Sequence, residues 1–445
     1  MLTEELLEII SKNEPEWLRR QRTNSFRSFI ELPLEKSELF KKYVNIDVNF
    51  DDFAIQETDA NFPKQLSFLL GNDVTYIQPL NELKNSDLLE KGVVFTNIRS
   101  AIKNHDTLIR KYFLDSMPEN KIVAMNSSFF NSGYFIYIPD NTSLEIPLRV
   151  LNVINNEGSL LSKNIIVVGK NSTLKFVEEF YSTQNRSLLN STTIVHLEEG
   201  AQANLGVVQN LGGNVLFFAN KKAILDKDAR LTSTAGFFGG YATLSRFDSV
   251  MQGSGSSSED YEIVFGSGQQ RFDITSNIIH RGMQTNGKVV AKGVFNDSSS
   301  GIFKGMINID KNARYANAYL AEHSMLLGKE AKSDAIPGLE ISNNEVKATH
   351  SASVAQINDD ELFYLMARGL GKEEAKKLIV LGFFDPLFRQ IPFSQVKLIL
   401  KSLFEIKWER LDVAKMQEIM DKIANEDVSE VATTKDIFER HYKYR

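Results

Sequence analysis

The spacing of apolar residues changes rhythm twice along this chain of 445 residues. Up to about residue 130 it suits helices and irregular links. Leu6, Ile9 and Ile10 define one apolar stripe behind Thr3, a natural helix cap. Trp17, Leu18, Phe26 and Phe29 define a second, opened by Pro15 and stopped at Leu32-Pro33-Leu34. Further helices are predicted over Pro63–Leu70, Asp106–Ser116 and Glu119–Ser127, with Asp106 as an N-cap.

From about Tyr134 the period shortens to that of strands, and Gly, Asn, Ser and Thr become frequent. A degenerate unit then recurs: a few apolar residues, a polar turn, a small residue and another apolar residue. Aligned on Asp140, Lys170, Glu199, Lys227, Lys311 and Lys329, its copies are separated by 30, 29, 28, 84 and 18 residues. The fourth gap is three units long. A period of this length marks units that bury their strands only by stacking on neighbours. The pattern predicts a mainly β fold with added α structure: a right-handed parallel β-helix core flanked by N- and C-terminal helical domains. A β-sandwich is the alternative. The short last gap is expected to mark the end of the solenoid.

The stretch Glu345–Gly369 joins the two regimes. A strand alternates as far as Val354. A helix then opens at Asn358, where Asn358 and Glu361 form a capping-box pattern, and stops at Gly369. Helices over Lys372–Leu381, Ser394–Glu405 and Val413–Ala424 follow, with Pro386 and Pro392 as breaks. The expected domains are 1–130, helical; 131–355, β-helix; and 356–445, helical.

Composition narrows the function. The hydrophobic fraction of 42% and charged fraction of 24% are those of a globular protein, and a net charge of −6 argues against a nucleic-acid surface. No apolar run approaches the roughly 18–20 residues that span a bilayer, and the acidic N-terminus lacks a secretory pattern. A cytoplasmic location is expected, with no membrane partner. Cysteine is absent, which removes thiolate nucleophiles, persulfides and Cys-ligated clusters from this chain.

Six histidines remain as metal-ligating candidates: His105, His196, His280, His323, His350 and His441. None stands at close ligand spacing. His105 and His441 lie in polar surroundings, and His196 reads as part of a repeat strand. His350 stands out by its face. With a period of two, Val346, Ala348, His350, Ala352 and Val354 point one way. An imidazole on a small apolar face is either a hydrogen-bonded core residue or a ligand offered to a partner, since imidazole suits iron and zinc. Other signals are weaker. Gly169-Lys170-Asn171-Ser172 lacks the glycine-rich lead-in of a phosphate loop. Glu178 and Glu179 should face opposite ways, and the pairs Arg246/Asp248 and Arg271/Asp273 read as surface ladders.

Longer segments carry a resemblance. EPEWLRRQRTNSFRSFIELPL (14–34), NSGYFIYIPDNTSLEIPL (131–148), HRGMQTNGKVVAKGVFNDSSSGIFKGMINI (280–309), SMLLGKEAKSDAIPGLEI (324–341) and above all EVKATHSASVAQINDDELFYLMARGL (345–370) resemble the SufB/SufD family of iron–sulfur assembly proteins. The resemblance implies a non-catalytic scaffold that pairs with a SufB-like subunit through the β-helix end. It also implies binding of the ATPase SufC through the C-terminal helices. Iron or a nascent Fe–S cluster would be shared with SufB, without a tightly bound cofactor. His350 matches the histidine proposed to act there on the SufD side. Without cysteine the chain cannot do SufB's sulfur-accepting work, so the SufD-like side fits better. Ala348 stands where some SufD members have cysteine. A homodimer of the isolated chain and a bound flavin stay open. From the repeat alone, a β-helix carbohydrate-active enzyme such as a polysaccharide lyase is the alternative.

Overall fold

A computed structural model describes residues 2–35, 37–41, 48, 50, 55, 74–78, 82–84, 91–113, 118–144, 146–154, 158–182, 186–392 and 394–423. The helix expected over Pro63–Leu70 and the tail from Asp427 lie outside these residues. The N-terminal part contains α1 (Glu4–Ser11), α2 (Glu16–Glu31), α3 (Glu38–Lys41), β1 (Val74–Gln78), β2 (Glu82–Lys84), β3 (Val94–Asn97), α4 (Ile98–Asn104), α5 (Asp106–Phe113) and α6 (Lys121–Phe129). Thr3 caps α1 as expected, its Oγ1 accepting from the Leu6 amide at 3.3 Å. Pro15 takes the position before α2. Asp106 is inside α5, and its carboxylate accepts the Trp17 indole N–H at 2.8 Å. It therefore ties α5 to α2.

The solenoid runs through β4 (Tyr134–Ile138), β5 (Leu148–Ile154), β6 (Gly158–Val168), β7 (Thr173–Ser182), β8 (Ser187–Leu197), β9 (Gln202–Asn210), β10 (Val215–Leu225) and β11 (Arg230–Phe237). It continues through β12 (Ala242–Met251), β13 (Ser257–Gly266), β14 (Arg271–His280), β15 (Asn286–Phe295), β16 (Ser300–Ile309), β17 (Asn317–Leu326), β18 (Lys332–Ile341) and β19 (Lys347–Gln356). Successive strands alternate between two parallel sheets, giving about seven turns. The parallel β-helix is thus observed. Three strands, β1 to β3, occur where the sequence suggested only helices and links.

One corner of each turn repeats a single device. Asn141, Asn171, Gly200, Asp228, Gly255, Gln284 and Tyr315 have φ between 52° and 73°. Each donates its amide to a carbonyl one coil on, as in Asn171 to Glu199 at 3.0 Å and Gly200 to Lys227 at 2.9 Å. Asn, Asp and Gly tolerate this left-handed conformation, which explains the polar turn in the repeat. The gap of 18 has a different meaning from the one expected. Lys329 lies at the opposite corner, between β17 and β18, whereas Lys311 lies between β16 and β17. The solenoid does not stop there; it runs on to Gln356.

Inward apolar residues from both sheets form the main core, from Val93 and Tyr134 to Ala318 and Leu320. The N-terminal helices cover the outer face of the β4–β18 sheet, where Phe129, Phe113 and Phe29 meet Leu161, Leu188 and Phe218. The C-terminal helices α7 (Asp359–Ala367), α8 (Lys372–Phe388) and α9 (Ser394–Trp408) follow β19. The latter two pack on the outer face of the other sheet through Phe384, Leu400 and Phe404 against Ile263, Phe265 and Val294. Lys407 on α9 donates to the Phe238 carbonyl and to Gln270. Pro386 lies inside α8 rather than ending it. It costs one hydrogen bond near the helix end, while burial of Phe384, Leu387 and Phe388 holds the last turn. A 3-10 turn at Val413–Lys415 precedes helical residues 416–423.

Candidate functional site at the open end of the solenoid

The two ends of the solenoid are finished differently. At one end β2 pairs antiparallel to β1, and β3 antiparallel to β4. At the other, β18 and β19 are the outermost strands of their sheets, and among the described residues no strand pairs beyond them. Leu339, Ile341 and Val354 are exposed there. A row of unpaired backbone groups with apolar side chains beside it is a template for association.

His350 sits on β19 directly opposite Leu320. Leu320 is fully buried, in an inward column that continues through Val289 and Asp260. Ala348, opposite Ala318, packs on the main core. The alternation read from the sequence therefore holds, and the His350 face continues the inside of the solenoid. With no further coil above it, the imidazole is exposed. Of the two readings, a hydrogen-bonded core histidine does not describe it.

The next inward column holds Glu178, noted in the sequence only as half of an adjacent pair, and two acids that drew no attention there, Glu262 and Glu322. Glu178, Val207, Ala235, Glu262, Ala291, Glu322 and Ala352 are successive register partners. Burial pushes the Glu178 carboxyl up to about 7 and the Glu322 carboxyl up to about 8. Asp260 is raised to about 6 by burial, with Ser276 donating to its Oδ2 at 3.0 Å. Glu262 is raised by burial and by Asp260. The inward-facing Lys221 is lowered by burial, while Glu178, Asp260 and Glu262 oppose that shift. Glu322 has only the Ile336 backbone N–H to favour its charged form. The missed signal was positional. These acids interrupt the inward phase of otherwise well-alternating strands.

The remaining candidates are dispersed. His280 is buried, with Nδ1 2.7 Å from Thr285 Oγ1 and its pKa lowered by burial to about 4. His323 faces outward, 2.7 Å from Ser353 Oγ. His196 packs beside Tyr112, ring centroids 4.9 Å apart. The His105 carbonyl accepts from the Leu108 and Ile109 amides of α5. His441 lies outside the described residues. Gly169–Ser172 is a solenoid corner. Glu178 and Glu179 do face opposite ways, Glu179 pairing with Arg149 and Tyr181. Arg246 and Asp248 pair at 3.0 Å. Asp273 is no surface residue: it is buried and pairs at 2.7 Å with Lys304 of the next coil. Among the described residues, no group of three or more His, Cys, Asp or Glu could hold a metal ion.

The helix after β19 opens as the sequence predicted. The Asn358 side chain accepts from the Asp360 amide at 2.8 Å and the Glu361 amide at 3.4 Å. Leu362 is buried, but Phe363 is 73% exposed and Tyr364 57%, with Met366 also exposed. A helix displaying two large aromatic residues leaves a second unsatisfied apolar surface close in sequence to the first. No helix among the described residues is long and apolar enough to cross a membrane.

Fold and site together define a helix-flanked β-solenoid with an exposed terminal coil and, among the described residues, no cluster of metal ligands. Residues 152–383 match the family described as SUF system FeS cluster assembly, SufBD core domain, and residues 1–150 match the SufBD protein N-terminal region. The chain is 31% identical to the iron-sulfur cluster assembly protein SufD of Bacillus subtilis over 417 residues, covering 88% of this chain and 94% of that one. It is 27% identical over 426 residues to a SufBD family protein of Staphylococcus saprophyticus, covering 88% and 90%. A Staphylococcus aureus SufBD family protein is 28% identical over the same length and shares. The chain belongs to the SufBD family of iron–sulfur cluster assembly proteins, on its SufD side. The carbohydrate-active alternative is not favoured.

Proposed function

We propose that this chain is a non-catalytic scaffold subunit in an assembly with a SufB-like subunit and a SufC-type ATPase, acting in the cytoplasm. The observation that carries the reading is the open end, where His350 stands exposed over a continuous core on the outermost strand of its sheet. The SufB-like subunit covers β18 and β19, and the exposed face of α7 begins the surface that receives the ATPase. His350 then offers an imidazole nitrogen to iron at the subunit boundary. Iron, or the growing cluster, is cargo. The sulfur and its thiolate ligands come from the partner, because this chain has no cysteine.

The short passage from β19 through Asn358 to α7 gives a mechanical rationale. A movement of α7 driven by the ATPase would reach the strand that carries His350. The test is co-purification with SufB-like and SufC-type subunits, followed by reconstitution with iron and sulfide. A stable complex should form clusters, and His350→Ala should lower the yield. A chain that ignores both subunits would overturn the proposal.

A further inference from the structure

The carboxylate of Glu322 is the least well compensated group near the open end. Its side chain is 2% exposed. The Ile336 backbone N–H donates to the carboxylate, and Oε2 has no hydrogen-bond partner. A buried polar atom without a partner calls for an explanation such as a water or an ion. The neighbouring inward acid, Glu262, adds only repulsion. The inward cation Lys221 is engaged by Glu178, Asp260 and Glu262, and among the described residues no cation acts on Glu322.

Its place in the fold brings it to the mouth of the solenoid. Glu322 is opposite Ala352 on β19, and His350 is opposite Leu320. Glu322 and His350 therefore lie on the same inward face, one strand and two residues apart. With strands about 4.8 Å apart and a rise of about 3.3 Å per residue, their Cα atoms are roughly 8 Å apart. A glutamate and a histidine can meet at one ion across that span. The side chain above Glu322 in the last coil is only the methyl group of Ala352, so the path from the mouth is short.

We propose that Glu322 and His350 together form a half-site for a divalent first-row metal ion, which ligands from a partner subunit complete. This rests on reading the open end as an iron-handling interface. It adds a ligand from inside the solenoid and gives the orphaned oxygen a role. One carboxylate oxygen and one imidazole suit Fe(II), Mn(II) or Zn(II). Two ligands leave positions open for a partner, and the lack of a third nearby ligand among the described residues keeps binding by this chain alone weak.

The probe is Mn(II), titrated into the full chain while the free-ion electron paramagnetic resonance signal is followed. The wild type should take up one ion weakly. Glu322→Gln keeps the side-chain shape and its contact to Ile336, and should weaken binding at least tenfold. His350→Ala should do the same, and Asp260→Asn should not. Melting curves identify a variant that has lost its fold, and Glu322→Asp then serves as a second probe, retaining charge at a shorter reach. No uptake by the wild type up to millimolar Mn(II), or unchanged uptake by Glu322→Gln, overturns the half-site. So does loss in Glu322→Gln with none in His350→Ala. If Glu322→Gln binds normally while His350→Ala still lowers cluster yield in the complex, the half-site fails and the interface reading stands. If both variants bind normally and both complexes build clusters at the wild-type yield, both fail.

Discussion

His350 and Leu320 occupy the same register position in adjacent coils, yet their substitution should have opposite consequences. His350 is exposed, so His350→Ala should change stability by no more than about 0.5 kcal/mol while lowering cluster yield in the complex. Leu320 is fully buried, so Leu320→Ala should cost about 2–5 kcal/mol. Urea midpoints measured beside cluster yields separate the two effects. The ion pair of Asp273 and Lys304 makes the same kind of contrast inside the sheet. Asp273→Ala leaves a buried ammonium group unpaired and should cost about 3–5 kcal/mol, while adding Lys304→Met should recover much of that loss. Urea unfolding of the single and double variants checks this, and equal losses in both would show that the pairing is immaterial. The face of His350 was legible from alternation alone. The partner of Asp273 was not, because it stands one coil away and a pattern along a strand says nothing about the next coil.

Among the elements, α7 offers the sharpest division between a surface and a core residue. Substituting Phe363 and Tyr364 by Ser should reduce capture of the ATPase subunit at least tenfold and leave the melting temperature within a few degrees. Leu362→Ser should instead lower the melting temperature. Pull-down and melting measured on the same preparations decide it; full ATPase binding by the Phe363/Tyr364 variant would move the docking surface elsewhere. The position of this helix was legible because Asn358 and Gly369 punctuate it. Which of its apolar residues faced outward was not, since Leu362, Phe363, Leu365 and Met366 run almost all the way round. Tertiary packing chose Leu362. Packing likewise carried α8 past Pro386, and the added coil between Lys329 and Gln356 was hidden because the two corners of the solenoid look alike in sequence.

For the whole molecule, the inward acids tie folding to pH, and the sign follows from where their protons sit. Glu178 and Glu322 hold protons to about pH 7 and 8 in the folded chain, against 4.5 for an ordinary glutamate. Between those limits the folded state binds more protons than the unfolded one, so stability falls as pH rises. His280 acts oppositely, since burial lowers it from 6.5 to about 4, and its contribution grows with pH only up to about 6.5. Lys163, lowered by burial from 10.5 to about 8, adds stability with pH only above about 8. Lys407 acts in the same sense as Lys163, since burial lowers it well below 10.5, so the share of the carboxyls between pH 6.5 and 8 is read by comparing the wild type with variants that lack them. There each of the two carboxyls should remove up to about 1.4 kcal/mol of stability per pH unit as it titrates. Glu178→Gln and Glu322→Gln should each flatten the slope, the first mostly below pH 7 and the second up to pH 8. Denaturant midpoints at half-unit intervals measure this. A slope left unchanged by both substitutions would mean that the interior carboxylates stay ionised. The solenoid could be read from its period because every coil repeats the same corner. This pH dependence could not, because it arises from the burial of acids at positions as far apart as 178 and 322, which only the stacked coils enclose.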